Sequence, residues 1–301
     1  MNLKRRDFLK SSLAVGAAAA IVPSLLAQKP EPVKPDIWMV HGKGNARLMD
    51  KCLEIIKANG GFGKDVKKLA LKVNAAWARG PEVGANTHPE LVSAFLAGVK
   101  KMGINDVCVP ENPCAPARES FERSGILAAV KENGFDMIDL KSRGNHFRKV
   151  TVPDAVSLKE VEVAKYFLDA DAMVNIPIAK HHGATKLSTA MKNWMGAVKD
   201  RKYWHRNNLH QCIADFAAFM KPVWTIVDAT RIMMDEGPQG PTDKMKYPEL
   251  LILSQNQVAA DALAVTLFNY NPEDVLCIKL ASKKGLGPCR LEDMNIIKVE
   301  I

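Results

Sequence analysis

The feature that most constrains the fold of this 301-residue chain is a regular alternation of strand-like and helix-like stretches that begins at residue 36. The strand-like stretches are short and rich in Val, Ile and Leu. The helix-like stretches have apolar residues three or four positions apart, and several end at Gly. The predicted strands are 36–40, 67–74, 106–110, 136–140, 172–178, 223–229, 249–254 and 294–301, and the predicted helices are 46–60, 88–103, 118–134, 185–199, 208–220 and 259–269.

This alternation predicts a single α/β domain over residues 36–301, with a mainly parallel sheet flanked by helices in a Rossmann-like fold of three layers. Residues 141–170 are less regular and predict a small insertion of short antiparallel strands with a helix. Hydrophobic residues form 47% of the chain and charged residues 25%, which are globular values that allow a sizeable core. Ligands of such sheets bind at the carboxyl ends of the strands, so we expect a site in the loops that follow strands.

The first 27 residues have the pattern of an export signal. Arg5 and Arg6 precede Phe8, Leu9 and an Ala-rich apolar run that is too short to span a bilayer. This order resembles a twin-arginine signal, which implies the twin-arginine translocase as a partner, export of an already folded protein, cleavage near Ala27 and a periplasmic or other extracytoplasmic location. The basic start of an amphipathic helix is the alternative. Residues 28–35 are rich in Pro and predict a linker.

The charge of the chain bounds its partners. The net charge is +9, and removal of residues 1–27 takes away four basic residues and Asp7, which leaves +6. A mildly basic protein suits an anionic ligand or a membrane surface, and the absence of basic runs interleaved with aromatic residues argues against nucleic acid. The sequence has no G-x-G-x-x-G motif, no Walker loop and no G-x-S-x-G elbow, so a standard dinucleotide enzyme, NTPase or serine hydrolase is not predicted.

The six cysteines are scattered and include no C-x-x-C pair, so neither an iron–sulfur cluster nor a structural zinc site is expected. Cys108 and Cys114 are close enough in sequence to form a disulfide after export, and buried free thiols are the alternative. The other four are Cys52, Cys212, Cys277 and Cys289.

The most unusual segment is NIPIAKHHGATKLSTAMKNWMGAV, residues 175–198, which contains several Lys and His residues and no acidic residue. A helix over 185–199 would bury the apolar stripe of Leu187, Met191, Trp194 and Val198 and place hydroxyl, amide and Lys side chains on its other face. Ser, Thr and Asn are poorer helix formers than the Glu and Arg of an ordinary solvated face. The segment therefore predicts an anion site beside a helix N-terminus, with a solvated face as the alternative. Its predicted ligand-binding residues are Lys180, Thr185, Ser188, Lys192 and Asn193.

Other loops add candidate residues. Asn74 ends a strand, and Thr87 and His88 stand at the next helix start, where capping alone would also explain Thr87. Asp228 ends a buried strand, which is a common position for a catalytic or orienting carboxylate. Asn74 and Thr87 thus join the predicted ligand-binding residues, and the predicted catalytic residues are His88, His181, His182 and Asp228.

A metal ion is a further option for the histidines. His181, His205 and His210 are the candidate ligands. No H-E-x-x-H or similar spacing supports a metal site, and hydrogen-bonded structural histidines are the alternative.

Several ordered segments together resemble the family called domain of unknown function 362, from about residue 67 to the C-terminus. The resemblance implies the fold and the location of the site more than an activity. Many members carry a ferredoxin-like cysteine module that this chain lacks, so direct electron transfer is not implied. The segments are KVN, GANTHPELV, NIPIAKHH, AMKNWMGAV, HRNNLHQCIADF, TIVDATRIMMDEGPQG and VAADALAV.

The segment NTHPE, residues 86–90, is also similar to the Thr-His pair near a helix start in the nickel-pincer lactate racemases, where it serves a hydroxy-acid site. This similarity implies that a His pair exchanges a proton at a carbon next to a carboxylate. Lys side chains and helix amides would hold the acid group.

Two hypotheses follow from these observations. The first is an exported acid/base enzyme, isomerase- or lyase-like, that acts on a small carboxylate or phosphate compound in a cleft of Lys, His, Asn and Asp side chains. The second is a non-catalytic protein that holds a metal or cofactor, or assembles a periplasmic redox system together with a redox partner protein. In either case we expect one cleft to collect Asn74, His88, Lys180, His181, Lys192, Asn193 and Asp228.

Overall fold

The computed structural model describes residues 34–301, and the predicted signal sequence lies outside the described residues. The strands are β1 (Asp36–His41), β2 (Lys68–Val73), β3 (Asp106–Glu111), β4 (Asp136–Asp139), β5 (Phe147–Thr151), β6 (Glu160–Ala164), β7 (Ala172–Ile176), β8 (Ile178–His182), β9 (Lys186–Ser188), β10 (Trp224–Met233), β11 (Met245–Lys246), β12 (Leu250–Ser254) and β13 (Asn295–Glu300). The α-helices are α1 (Asn45–Ala58), α2 (Pro89–Lys101), α3 (Ala117–Arg123), α4 (Ile126–Glu132), α5 (Lys165–Leu168), α6 (Ala190–Asn193), α7 (Arg201–Arg206), α8 (Leu209–Phe219), α9 (Gln257–Thr266) and α10 (Leu276–Lys283).

One large mixed sheet runs through the described residues in the strand order β13-β1-β12-β10-β7-β2-β3-β4. Along this path every neighbouring pair is parallel except the two pairs made by β12, which is antiparallel to β1 and β10. From β2 the chain proceeds through β3 to β4, and it then crosses back to β7 on the other side of β2. A reversal of strand order opens a crevice at the carboxyl ends of the strands, here between β2 and β7.

The sheet has a hydrophobic core on each face, which gives the predicted three layers. Residues of β2 alternate between the two cores, since Leu69, Leu71 and Val73 pack with α1 and α2, whereas Ala70 packs with the helices of the other face. Lys72 has the same parity as Ala70 and is therefore directed toward the face that carries α6. The predicted Rossmann-like α/β class is confirmed.

The irregular region also follows the prediction. β5 and β6 form a separate antiparallel pair, and the short α5 follows β6 directly. The predicted helix over 118–134 is instead two helices, because Gly125 between α3 and α4 has a left-handed backbone with φ of 74°. Helices α7 and α10 were not predicted. None of the helices in residues 34–301 has the length and apolar character that crossing a bilayer requires.

Candidate functional site

A cavity of about 130 Å³ lies at the carboxyl ends of β2 and β3, beside the crevice where the strand order reverses. Basic side chains dominate its polar wall, and we call it the cation-lined cavity. Its location agrees with the rule that ligands bind at this edge of a parallel sheet. The lining residues are Lys72, Asn74, Ala76, Trp77, Glu111, Cys114, Lys180, His182, Ser188, Lys192, Asn193, Met195, Gly196, Arg201, His205 and Pro238.

A buried ion pair forms the floor of this cavity. Nζ of Lys72 lies 2.8 Å from Oε2 of Glu111, and each side chain is only 1% exposed. Burial lowers the pKa of Lys72, and the charge of Glu111 opposes this effect. The carboxylate also accepts the backbone N–H of Ala75 at 3.2 Å. The two charges of this pair cancel, so the pair adds no net charge to the cavity and serves to hold its floor in place.

Gly196 is required for the close approach of the chain to this ion pair. A Cβ atom at this position would overlap Oε1 of Glu111 and would lie 2.8 Å from Nζ of Lys72. Contacts of that kind essentially force one group to move, so no larger residue fits here without rearrangement.

A chain of side-chain amides connects the floor to the segment above it. Oδ1 of Asn193 accepts hydrogen bonds from Lys72 at 3.3 Å and from Nδ2 of Asn74 at 3.0 Å. Nδ2 of Asn193 donates to Oδ1 of Asn175 at 2.8 Å, and Nδ2 of Asn175 donates to the carbonyl of Ala190 at 2.9 Å. These bonds use both ends of the Asn193 and Asn175 amides and fix α6 against the ends of β2 and β7.

Lys180 and Lys192 bring positive charge into the cavity without a carboxylate partner among residues 34–301. Lys180 is 1% exposed, and its Nζ donates to Oδ1 of Asn74 at 3.3 Å and to the carbonyl of Ala85. Burial lowers the pKa of Lys180 to about 7, and the charge of Lys192 adds to the effect. Burial lowers the pKa of Lys192 to about 8. Both amines therefore exchange protons within the physiological pH range.

The rim of the cavity carries Arg201, Cys114 and two histidines. Nη2 of Arg201 donates to the backbone carbonyls of Asn112 and Pro113 at 2.6 and 2.7 Å, and Nη1 donates to Sγ of Cys114 at 3.0 Å. Burial, together with the charges of the two lysines, lowers the pKa of His182 to about 3, so this ring is neutral at physiological pH. The half-buried His182 is therefore an uncharged hydrogen-bonding group beside the cations.

Comparison with known proteins identifies the family. A family model described as domain of unknown function (DUF362) matches residues 69–266, which is about two thirds of the chain. The chain belongs to the DUF362 family. The sequence-based prediction of this family is thus confirmed. A model of the twin-arginine translocation signal sequence matches residues 2–22, so this DUF362 protein carries a signal for export across a membrane.

Two individual proteins are similar to this DUF362 chain. The thylakoid-associated protein sll1697 of Synechocystis sp. is 24% identical over 248 residues, which are 80% of this chain and 75% of that protein. Among solved structures, the lactate racemase apoprotein of Thermoanaerobacterium thermosaccharolyticum has a TM-score of 0.51 and 10% identity over 79% of this chain. The match spans 57% of the racemase chain. At this identity the likeness shows a shared fold.

The predicted helix over 185–199 is wrong. β8 and β9 form an antiparallel hairpin in which Lys180 faces Ser188, and only the short α6 and a 3₁₀ turn at Trp194–Ala197 follow. Lys186, the first residue of β9, directly follows the turn of the hairpin and has a left-handed φ of 63°. The predicted apolar stripe is nevertheless buried, because the hairpin and the two short helical turns direct the same side chains into the core. These side chains are Leu187, Met191, Trp194 and Val198.

The anion cradle that this helix was expected to provide is therefore absent at Thr185. The hydroxyl of Thr185 is buried and donates to the carbonyl of Leu187 at 2.7 Å. The backbone N–H groups of Ala190 and Met191 at the start of α6 donate to the carboxylate of Asp261 at 2.6 and 2.9 Å, so they are already occupied. Side chains, rather than helix amides, provide the cavity with its positive character.

The Asn74–His88 loop and Asp228 form a second polar cluster, which we call the Asp228 clamp. The fully buried Asp228 pairs with Arg231 at 2.8 Å and accepts the backbone N–H of His88 at 2.9 Å. Arg231 in turn donates to the carbonyls of Asn86 and Pro81 at 3.0 and 2.7 Å. His88 caps α2 by accepting the N–H of Glu90. His88, His181 and Asp228 do not line the cation-lined cavity, so four of the seven residues expected to converge there do so.

Thr87 has a structural role in the same loop. Its hydroxyl accepts the N–H of Asn74 at 2.9 Å and donates to the carbonyl of Ile176 at 2.7 Å. Thr87 thereby attaches the loop to the end of β7 and helps to place Asn74. Of the predicted residues, the cavity contains Asn74, Lys180, His182, Ser188, Lys192, Asn193 and His205.

The three predicted metal ligands do not come together. His205 lies on the rim of the cavity, whereas His181 and His210 are not part of its lining. Nδ1 of His181 accepts the N–H of Gly237 at 3.1 Å instead. Burial lowers the pKa of His210. No group of three or more His, Cys, Asp or Glu side chains within residues 34–301 is arranged to hold a metal ion. All six cysteines are free thiols, with Cys108 buried and Cys114 exposed.

Sequence reasoning missed Lys72, Glu111, Cys114 and Arg201. A Lys inside the apolar strand LALKV was a usable signal, because a Lys that is flanked by core residues needs a partner when it is buried. Glu111 ends the neighbouring strand and provides that partner. Cys114 and Arg201 gave no comparable local signal.

Proposed function

We propose that this DUF362 protein binds a small carboxylate or phosphate compound in the cation-lined cavity and moves a proton on it as an isomerase- or lyase-like enzyme. After export and cleavage near Ala27 it would act in the periplasm. The observation that carries the proposal is an imbalance of charge. Glu111 balances Lys72, whereas Lys180, Lys192 and Arg201 have no carboxylate partner within residues 34–301.

The imbalance is unfavourable in the empty protein and favourable in a complex. Desolvation disfavours the charged forms of Lys180 and Lys192, which is why their pKa values fall toward neutrality. A bound anion would reverse this effect, because it stabilises the protonated amines. Binding above neutral pH should therefore take up protons. The cavity volume of about 130 Å³ is below the roughly 300–1,000 Å³ of common ligand pockets, which supports a small ligand.

The same groups have the properties that proton transfer requires. A general acid or base works best with a pKa near the working pH, and Lys180 meets this condition. Lys192 and Arg201 line the same cavity and would hold the anionic group, and the neutral His182, whose Nδ1 accepts the N–H of Ala184, would offer its Nε2–H as a further donor. In this proposal Lys180 takes the proton-transferring role that the sequence suggested for histidines, because His88 and the orienting Asp228 are both part of the Asp228 clamp.

A non-catalytic role is the second candidate, and the twin-arginine signal, which favours cofactor involvement in either case, is consistent with it. Proteins with such signals are exported in the folded state, often with a cofactor in place. In that case the cavity would hold an anionic cofactor for a periplasmic redox system and its partner protein. Native mass spectrometry of the protein purified from the exporting cell tests this candidate, which requires a stoichiometric anionic cofactor, and turnover by the ligand-bound protein would refute a purely non-catalytic role.

Calorimetry with phosphate, sulfate and small hydroxy-acids, including lactate, tests the proposal. Lys192→Ala should weaken binding of the best anion by roughly 1–3 kcal/mol, the loss of a charge-assisted hydrogen bond. Lys186→Ala is the matched control, because Lys186 lies on the same hairpin with its ammonium over the ring of Tyr270 and outside the cavity. Equal affinities of the two variants, or no binding by the wild-type protein, would refute the anion site.

A further inference from the structure

Cys114 is the one thiol that lines the cation-lined cavity, and it is exposed. Four of the other cysteines are buried, and burial raises the pKa of each of their thiols; they are Cys52, Cys108, Cys212 and Cys277. The sixth cysteine, Cys289, is partly exposed and lines a separate cavity beside Pro272 and Arg290. The molecule therefore offers an internal comparison between two accessible thiols.

The guanidinium of Arg201 is fixed beside the sulfur of Cys114. Nη1 donates to Sγ at 3.0 Å, while Nη2 is held by the backbone carbonyls of Asn112 and Pro113. Carbonyl oxygens leave the cationic charge uncompensated, and Arg201 pairs with no carboxylate of residues 34–301. This charge is available both to a thiolate and to an anion that lies next to it.

The backbone around Cys114 is also held in place. Its N–H donates to the carbonyl of Ala76 at 2.9 Å, and Nζ of Lys141 donates to the carbonyl of Ala115 at 3.1 Å. Lys192 faces the same cavity, and its ammonium forms no hydrogen bond or ion pair within residues 34–301. An anionic group held between Arg201 and Lys192 would thus lie beside a thiol of fixed position.

We infer that Cys114 is a nucleophile of the cation-lined cavity, directed at small carboxylate or phosphate compounds with an electrophilic carbon next to the anionic group. The inference rests on the proposed function, since the same cations hold the anion. The thiol proton passes to water, and sulfur forms a bond to carbon. At a carbonyl carbon the π electron pair moves to oxygen, which takes a proton from Lys180, the proton-transferring group of the proposed function. At a carbon with a leaving group, that group departs with its bonding pair.

Two alkylating agents that differ in charge test this inference on the intact mature protein. Iodoacetate is an anion and iodoacetamide is neutral, and both lose iodide to a thiolate. Peptide mass spectrometry would follow the two products at Cys114 and at Cys289. We expect the ratio of rate constants, iodoacetate over iodoacetamide, to be about tenfold higher at Cys114, the factor that corresponds to about 1.4 kcal/mol.

The matched variants show whether the cavity causes the preference. Lys192→Ala should bring the ratio at Cys114 close to that at Cys289, and Lys186→Ala should leave it unchanged. Inorganic phosphate should slow the reaction at Cys114 alone. Equal ratios at the two cysteines, or a Cys114 that reacts with neither reagent, would overturn the inference.

Calorimetry and alkylation of the same wild-type protein separate this inference from the proposed function. Anion binding with equal alkylation ratios overturns the nucleophile and leaves the anion site. A wild-type protein that binds no anion, yet shows the iodoacetate preference, overturns the proposed function and supports the nucleophile.

Discussion

The cation-lined cavity at the carboxyl ends of β2 and β3 and the Asp228 clamp in the middle of β10 are two charged clusters that differ in how completely their charges are paired. In the clamp, Asp228 and Arg231 pair with each other, Oδ1 of Asp228 accepts the N–H and the hydroxyl of Thr230, and backbone groups of the Asn74–His88 loop bond to both charged side chains. In the cavity, Lys180, Lys192 and Arg201 have only neutral partners or none. A fully paired cluster holds a fold together, whereas unpaired buried charge is retained where a ligand completes it.

Removal of the clamp carboxylate should produce the largest change in stability. Asp228→Ala leaves Arg231 buried without its partner, and we expect a loss of about 3–5 kcal/mol in the free energy of unfolding. Urea denaturation measures it, with Asp235→Ala as the control, because the side chain of Asp235 is 65% exposed. Unchanged stability with abolished anion binding would show that Asp228 serves the binding site, and it would contradict the structural role of the clamp.

Gly196→Ala should perturb the floor of the cavity. The new Cβ would overlap Glu111, so Lys72 and Asn193 must shift, with an expected cost of about 1–3 kcal/mol in stability and a lower anion affinity. Gly183→Ala is the control, since a Cβ there would meet open space. Calorimetry and denaturation of both variants give the two quantities. Wild-type affinity in Gly196→Ala would show that ligand binding does not depend on the geometry of the floor.

The unpaired lysines should give the ligand-free protein a stability that depends on pH. The pKa of Lys180 is about 7 in the folded protein against 10.5 for an ordinary lysine. Between these values the unfolded chain binds more protons, so the free energy of unfolding should rise with pH, by at most about 1.4 kcal/mol per pH unit for one lysine. The penalty is fully present below pH 7. Denaturation at several pH values should show this rise, and Lys180→Met should reduce it.

Bound sulfate is the control for this pH dependence. An anion in the cavity favours the protonated lysines, so saturating sulfate should flatten the rise between about pH 7 and 10. A wild-type profile that is already flat without sulfate, or one that falls as pH increases, would contradict the unpaired state of the two lysines.

His88→Ala should give the smallest effect. It removes the cap of α2, and a lost cap costs about 1 kcal/mol. The anion affinity should stay unchanged, because His88 lies outside the cation-lined cavity. Thermal denaturation and calorimetry measure the two quantities. A clear loss of affinity with little loss of stability would instead favour the acid/base role that the sequence suggested for this residue.

Local sequence patterns were sufficient for the architecture and for the edge of the sheet that holds the cavity. The alternation of periodicities located the strands, and the rule for parallel sheets then selected Asn74, Lys180, Lys192 and Asn193. The helix over 185–199 failed because β8 finds a parallel partner in the long β10, an interaction with residues about 50 positions away. A hairpin with a left-handed residue at Lys186 has no Asn-Gly signal that could reveal it.

The missed residues depend on distant pairing. The role of Lys72 depends on its ion pair with Glu111. The role of Cys114 depends on the hydrogen bond that it accepts from Arg201 of α7. Neither contact has a periodic or spaced pattern in one sequence. Asp228 illustrates the opposite error, since it was expected at the end of a strand, whereas β10 continues to Met233 and the mid-strand carboxylate pairs with Arg231.

The position of β1 has a consequence for the biosynthesis of the protein. This strand begins at Asp36, shortly after the matched signal sequence ends at residue 22, and both of its sheet neighbours, β12 and β13, come from the last fifth of the chain. While the ribosome is still making residues 250–300, the segment next to the signal has both edges unpaired. Its pairing therefore requires that residues 250–300 have been made, and a chain truncated before them would present a twin-arginine signal attached to an unpaired strand.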